Sequence, residues 1–371
     1  MSQPSFPGSA EAASAASAES PNDLTVEDDT RADIPRHRSG GRQTGTPGGG
    51  GAPFGGGGAL PTKRRFGGDS VFRWLTTGAG SVVLIIIVAI AVFLIAKAVP
   101  AIRADKANFL THFEWFPNDP TNPQFGIAAL AFGTVISSAL ALIMAVPVAL
   151  GIALCLSHYA HRRLANGLGF LIDLLAAVPS IVFGLWGRDY LVTPVTELSG
   201  WLHKYFGWIP LFGSDGPYGK SILLGSLVLA IMVLPIVTSL SREVFRQTPP
   251  MNEEAALALG ATKWEMIRTA VIPYGRPGLI ASVMLGLGRA LGETIALALT
   301  LGGGFGIGAD VIHDGGNSIA ANIANGFGEA NDIGRGALIA SGLVLFAITL
   351  VVNMTARAIV YRRREFLGSA A

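Results

Sequence analysis

Six apolar stretches dominate this chain, near Gly78–Val99, Ile127–Ser157, Leu164–Gly187, Ser221–Leu240, Pro277–Leu301 and Gly336–Val360. Each is long enough to cross a bilayer, which takes about 20 helical residues. They point to an all-α membrane protein with six transmembrane helices. Composition agrees. Of 371 residues, 50% are hydrophobic and only 14% charged, and mean hydropathy is +0.49; soluble domains carry roughly 25% charged residues. The net charge of +2 offers no strong one-sign field, so nucleic acid is not expected as a partner. The single cysteine, Cys155, excludes an internal disulfide framework. It lies in an apolar run and reads as a small buried hydrophobe. The six histidines show no metal-ligand spacing, so no metal is assigned.

Residues 1–70 are a different material, rich in Ala, Ser, Gly and Pro, with glycine runs at Gly48–Gly51 and Gly55–Gly58. They cannot bury enough apolar surface to offset ordering entropy. A disordered cytoplasmic tail is expected there. No apolar run precedes Val82, so a cleaved signal peptide is not expected. Basic residues set the orientation. Lys63–Arg65, Arg162 and Arg163, the group Arg242, Arg246, Lys263, Arg268 and Arg276, and Arg362–Arg364 fall at one set of alternate span ends. By the positive-inside rule both termini are cytoplasmic, in the plasma (inner) membrane. The segments around Ala101–Phe125, Arg188–Lys220 and Gly302–Arg335 then face outward.

Between the fourth and fifth stretches lies a polar interruption on the cytoplasmic side, residues 248–275. It reads as two short helices joined at an elbow. Thr248 is placed to cap the first, with Pro249 at its first position. Glu254, Ala255 and Ala256 follow, and Gly260 sits where a left-handed residue stops a helix. Thr262 and Glu265 form a capping box for the second helix, on which Trp264, Ile267 and Val271 make an apolar stripe. The alanines of the first helix allow close approach of a partner's backbone.

The fifth stretch contains Gly286-Leu287-Gly288-Arg289-Ala290-Leu291-Gly292-Glu293-Thr294. Arg289 is expected near mid-span, where an ionised side chain is costly. Glu293, four residues on, is expected on the same helical face and paired with it. Gly288 and Gly292 form a small-xxx-small pattern for a neighbouring helix. Two readings fit: an anion site, with a planar guanidinium meeting an oxyanion, or an ion pair that only fixes packing. Thr238, Ser239, Ser241, Arg242 and Glu243 close the fourth stretch. They line the inner mouth of a pathway or simply mark a positive-inside helix end. Asp173 in the third stretch stands equally between the pathway and the interface. Trp201, Tyr205, Trp208 and Phe212 read as an interfacial aromatic belt, or a dock for an external partner. Gly219-Lys220-Ser221 imitates the end of a phosphate-binding loop, but Ser214 stands where that pattern needs glycine. No ATPase site is visible.

With these residues in view, the chain resembles the C-type permease subunits of Pst-type phosphate importers, an ATP-binding-cassette (ABC) system. The resemblance rests on Leu234-Pro235, on Glu254-Ala255-Ala256 through Gly260 to Glu265 (the EAA loop), and on Gly286 to Thr294. Asp173 to Gly184, and Asn317-Ser318-Ile319-Ala320 with Phe327-Gly328-Glu329-Ala330, add to it. Ile295-Ala296 follows Glu293-Thr294 where the A-type sister has Ala-Pro. Ala270, Ile272 and Ile295 depart from the common residues but remain apolar. The resemblance implies an ABC importer type I permease architecture: a tail (1–70), a first helix with its outer loop (71–125), a permease core (126–364) with the coupling loop at 248–275, and a short tail (365–371). It further implies transport without covalent chemistry in this chain. The partners would be an A-type permease, an ATPase dimer that uses ATP and Mg, an extracytoplasmic phosphate-binding protein, and membrane lipid. A permease for another oxyanion such as sulfate or molybdate, and a membrane scaffold that recruits an ATPase, are the alternatives.

Overall fold

The computed structural model describes residues 68–306, 308 and 310–368. The expected N-terminal tail up to residue 67, with its glycine runs and Lys63–Arg65, lies outside the described residues, as do residues 369–371 and the side chains of Arg362–Arg364. A chain in lipid must satisfy its backbone hydrogen bonds within itself, and the apolar stretches do so as helices. In chain order they are α1 (Gly68–Ala104), α2 (Ala128–Leu154), α3 (Arg162–Ala176), α4 (Ser180–Trp186), α5 (Val192–Phe206), α6 (Ile222–Arg246) and α7 (Pro250–Ala258). Then come α8 (Lys263–Met266), α9 (Ile272–Leu291), α10 (Ile295–Thr300), α11 (Ile319–Gly326) and α12 (Asp332–Gly368). A π turn, Cys155–Tyr159, extends α2, and another, Ile267–Val271, joins α8 to α9.

Among the described residues, five helices are long and apolar enough to cross a membrane: Ser70–Ala104, Ala128–Tyr159, Ile222–Arg246, Lys263–Leu291 and Asp332–Ala358. The third expected stretch is not a straight span. It breaks after Ala176 and restarts at Ser180, with an 87° bend between Arg162–Ala176 and Ser180–Phe206. Pro179 explains the break, since its ring disfavours helical geometry at Val178 and it donates no hydrogen bond. Counting the bent pair as one span gives the expected six. Beyond it, α5 fills much of the segment 188–220 that was expected as loop. The fifth span is also displaced. It begins at Lys263 and ends at Leu291, short of Leu301, because the backbone turns at Gly292 (φ −93°, ψ 4°) before α10.

The core is built on α2 against α6. Ala141, Ala145 and Ala149 recur at successive turns of α2 and let α6 approach closely, packing with Leu229, Val233 and Val237. Ala290 of α9 closes that cluster. Gly278 and Gly286 let α9 approach α6 closely: an added Cβ would lie 2.6 Å from Val244 at the first, and 2.8 Å from Val237 and 2.9 Å from Val233 at the second. α1 packs along α12, with Ala101, Phe125 and Ala337 buried at one end, while most of its apolar surface stays exposed. The loop between α1 and α2 forms a two-stranded ribbon, β1 (Trp115–Phe116) with β2 (Gln124–Phe125). In that loop the Asp119 carboxyl accepts hydrogen bonds from the Thr121 hydroxyl and from the backbone of Thr121 and Asn122, which hold it below the usual carboxylate range. Cys155, the first residue of the π turn at the end of α2, is exposed, contrary to the expected burial.

Candidate functional site

An open groove of about 1070 Å³ runs along α9, walled by α6 and α12. Most of its lining is apolar, from Ile236 and Pro277 to Met284 and Leu285. Three polar side chains interrupt it: Arg289 of α9, and Asn353 and Arg357 of α12. Arg289 is exposed and lies in the last turn of its helix. Its expected partner is elsewhere. Glu293 follows the turn at Gly292 and so leaves the helical register that would have placed it over Arg289. It is 7% exposed, and its carboxylate accepts the backbone N–H of Ala296 at 3.2 Å. That amide belongs to the first turn of α10, where donors lack helical partners and an anion is favoured. Arg289 makes no ion pair among the described residues. Gly288 faces the groove, with open space where a Cβ would sit, and Gly292 meets only the backbone of its own turn. The close helix contact expected of that pair is made by Gly278 and Gly286 instead.

A second polar cluster joins α3 to α6. The Ser239 hydroxyl donates to Asp173 at 2.6 Å, and Arg242 Nη2 lies 4.0 Å from the other Asp173 oxygen. Arg242 Nη1 donates to the Ala165 carbonyl at 3.4 Å. The guanidinium passes over Gly169, where any Cβ would collide with it. Asp173 and Arg242 are thus brought together from separate stretches. Glu243 is exposed and has no partner among the described residues. Ser241 bonds Ser282 of α9 at 2.9 Å, tying α6 to the groove helix.

The elbow has the expected hinge and a different mounting. Gly260 adopts φ +85°, the left-handed region that a side chain rarely takes. The capping box forms, with Glu265 accepting the Thr262 N–H at 2.8 Å and Thr262 accepting the Glu265 N–H at 3.4 Å. Thr248 does not cap the first helix. α7 starts one residue later than expected, Pro249 occupies the cap, and the Thr248 hydroxyl is buried with no partner among the described residues. The second helix is not short. α8 runs through its π turn into α9 as one 29-residue unit, Lys263–Leu291. Of the expected stripe, Ile267 and Val271 are fully buried against Ala153, Phe245 and Met266, whereas Trp264 is exposed. Met251, Leu257, Leu259 and Trp264 make the tip apolar, and Glu254 and Ala255 are exposed beside them, with Ala256 half-buried. Elbow and Arg289 therefore share one helix, roughly 40 Å long at 1.5 Å per residue.

Asn353 and Arg357 were missed from sequence. Their signal was there: two polar residues four apart on one face of an apolar segment.

Comparison with known proteins fits this arrangement. Residues 145–365 match the family described as "Binding-protein-dependent transport system inner membrane component". A Mycobacterium tuberculosis protein named phosphate transport system permease protein PstC 2 is 47% identical over 303 residues, covering 81% of this chain and 93% of that one. The PstC protein of Mycobacterium leprae is 47% identical over 72% of this chain and 86% of its own length. That of Haemophilus influenzae is 37% identical over 81% and 95%. With its apolar spans and this match to relatives over most of its length, the chain belongs to the binding-protein-dependent transport system inner membrane component family and is a non-enzymatic, multi-pass membrane permease subunit of an ABC transporter.

Proposed function

We propose that this chain is a C-type permease subunit that moves inorganic phosphate inward through a pathway walled by the groove along α9. The observation that carries the reading is the single helix Lys263–Leu291, which holds the elbow at one end and Arg289 at the other. The names of the similar proteins supply the cargo. Both termini and the elbow lie in the cytoplasm, following the basic residues at alternate span ends. An A-type permease covers the open groove and completes the conduit. An ATPase dimer, which binds ATP and Mg²⁺, docks the apolar elbow tip around Glu254, Ala255 and Leu259. An extracytoplasmic phosphate-binding protein delivers the anion.

Phosphate meets the Arg289 fork of donors, and Arg357 with Asn353 extends the cationic wall along the groove. Glu293 does not neutralise Arg289 when the site is empty; it anchors α10 beside the turn. Asp173 and Arg242 form a polar lock at the inner end, and Glu243 lies open to the cytoplasm beside it. ATP binding closes the ATPases and displaces the elbow. Because α8 and α9 are continuous, the displacement tilts the Arg289 wall as a rigid body.

The test is uptake of labelled phosphate in cells carrying Arg289→Gln. A charge-assisted hydrogen bond is worth about 1.5–3 kcal/mol, so transport falls at least tenfold at normal expression. Undiminished uptake removes Arg289 from the pathway. Competition by sulfate at equal concentration would reassign the cargo.

A further inference from the structure

The π turn at the end of α2 touches both arms of the elbow. His158 Nε2 lies 3.5 Å from Glu253 Oε1 on α7, and Lys263 Nζ of α8 lies 5.0 Å from the centre of the Tyr159 ring. The histidine is held from behind. Ser157 Oγ is 2.7 Å from Nδ1, and the Phe245 ring meets the imidazole edge-on at 6.4 Å. Ser157 Oγ also reaches the Leu154 carbonyl at 3.2 Å, and in the tautomer that carries its proton on Nε2 the imidazole offers that N–H on the side of Glu253. The His158 side chain is only 7% exposed, although the elbow it serves is open to solvent. π turns are rare and recur at functional positions in helices. The far end of α2 is tied as well: Thr134 accepts the Ile319 N–H at 2.9 Å, and Gly133 leaves just enough room for the Asn317 carbonyl.

From this geometry we infer that His158, with Tyr159, is a positioning residue for coupling: it clasps α7 to α2, so that a push on the elbow is shared between α9, which carries Arg289, and α2, which carries the segment before α11. Apart from the clasp, α7 is held by Ala256, packed against the Ile267–Val271 turn, and by its contacts with α8. Without the clasp the elbow would yield at Gly260 instead of transmitting force. The inference rests on the elbow being the ATPase dock.

The experiment uses the assembled transporter in lipid nanodiscs, with His158→Leu, His158→Gln and, from the exposed side, Glu253→Leu. Two quantities are read: amide hydrogen exchange over Pro250–Ala258, and phosphate moved per ATP hydrolysed. In His158→Leu, exchange across α7 becomes about tenfold faster, in line with losing a polar contact to a charged group, while α6 is unchanged. Phosphate moved per ATP falls at least threefold. His158→Gln, whose amide N–H replaces Nε2–H, restores both. Glu253→Leu reproduces the loss without altering a buried residue, which covers poor folding of the first variant. Wild-type exchange in both leucine variants overturns the clasp. Faster exchange with an unchanged phosphate-to-ATP ratio, or no rescue by glutamine, also overturns the positioning role. A wild-type transporter that hydrolyses ATP but moves no phosphate would instead refute the proposed cargo, and the exchange data would still decide the clasp.

Discussion

Gly260 allows the coupling claim to be graded. Its φ of +85° lies in the left-handed region, and a Cβ built there meets nothing within 4 Å. A substitution therefore acts first through backbone strain, since its Cβ strikes nothing. Left-handed geometry costs an ordinary residue about 1–2 kcal/mol, costs asparagine less, and is worst for a β-branched side chain. Since 1.4 kcal/mol is a tenfold change in an equilibrium, Gly260→Asn should nearly match wild type. Gly260→Ala should lower the population of the native elbow roughly tenfold relative to its alternatives, and Gly260→Val further. The assay is ATPase stimulation by the loaded binding protein in reconstituted complexes. The expected order is Gly, Asn, Ala, Val, with the distant Arg289 site still able to bind anion. Equal stimulation by all four would show that the elbow need not hold its turn, and the coupling argument would fall.

Two other outcomes follow from local geometry. Gly169→Ala would expel the Arg242 guanidinium from its place against Ala165 and Asp173; uptake should drop several-fold, with helix content by circular dichroism unchanged. Asp119 has a depressed pKa, so its hydrogen bonds contribute above the unfolded value near 3.8 and are lost as pH falls through the lower folded value. Amide exchange at Thr121 and Asn122 should therefore accelerate only below about pH 4, and Asp119→Asn should show the fast rate at neutral pH.

What could be read in the sequence was what local rules govern. The αL turn at Gly260 and the Thr262–Glu265 box involve neighbours a few residues apart, and both formed. The ends of spans were read poorly, because apolarity persists through Leu301 while the helix stops at Leu291. That one turn at Gly292 undid the expected Arg289–Glu293 pair, since i,i+4 adjacency holds only within an unbroken helix. Pro179 was a legible breaker whose effect was hidden in a long apolar run. Thr248 failed as a cap through a one-residue shift of the helix start. Contacts between distant segments had no sequence signal at all: Ser239 with Asp173, and His158 with Glu253, are set by how α2, α3, α6 and α7 pack.

The rigid link between elbow and groove can be measured by electron–electron distance spectroscopy, with Cys155 replaced by serine and spin labels on Leu259, Leu285 and Val351, all of which are exposed. Between nucleotide-free and ATP-trapped complexes, the Leu259–Leu285 distance should stay constant while Leu285–Val351, across the groove, changes by several ångströms. A shifting Leu259–Leu285 distance with a fixed groove would mean that the elbow flexes alone and that Arg289 does not feel the ATPase.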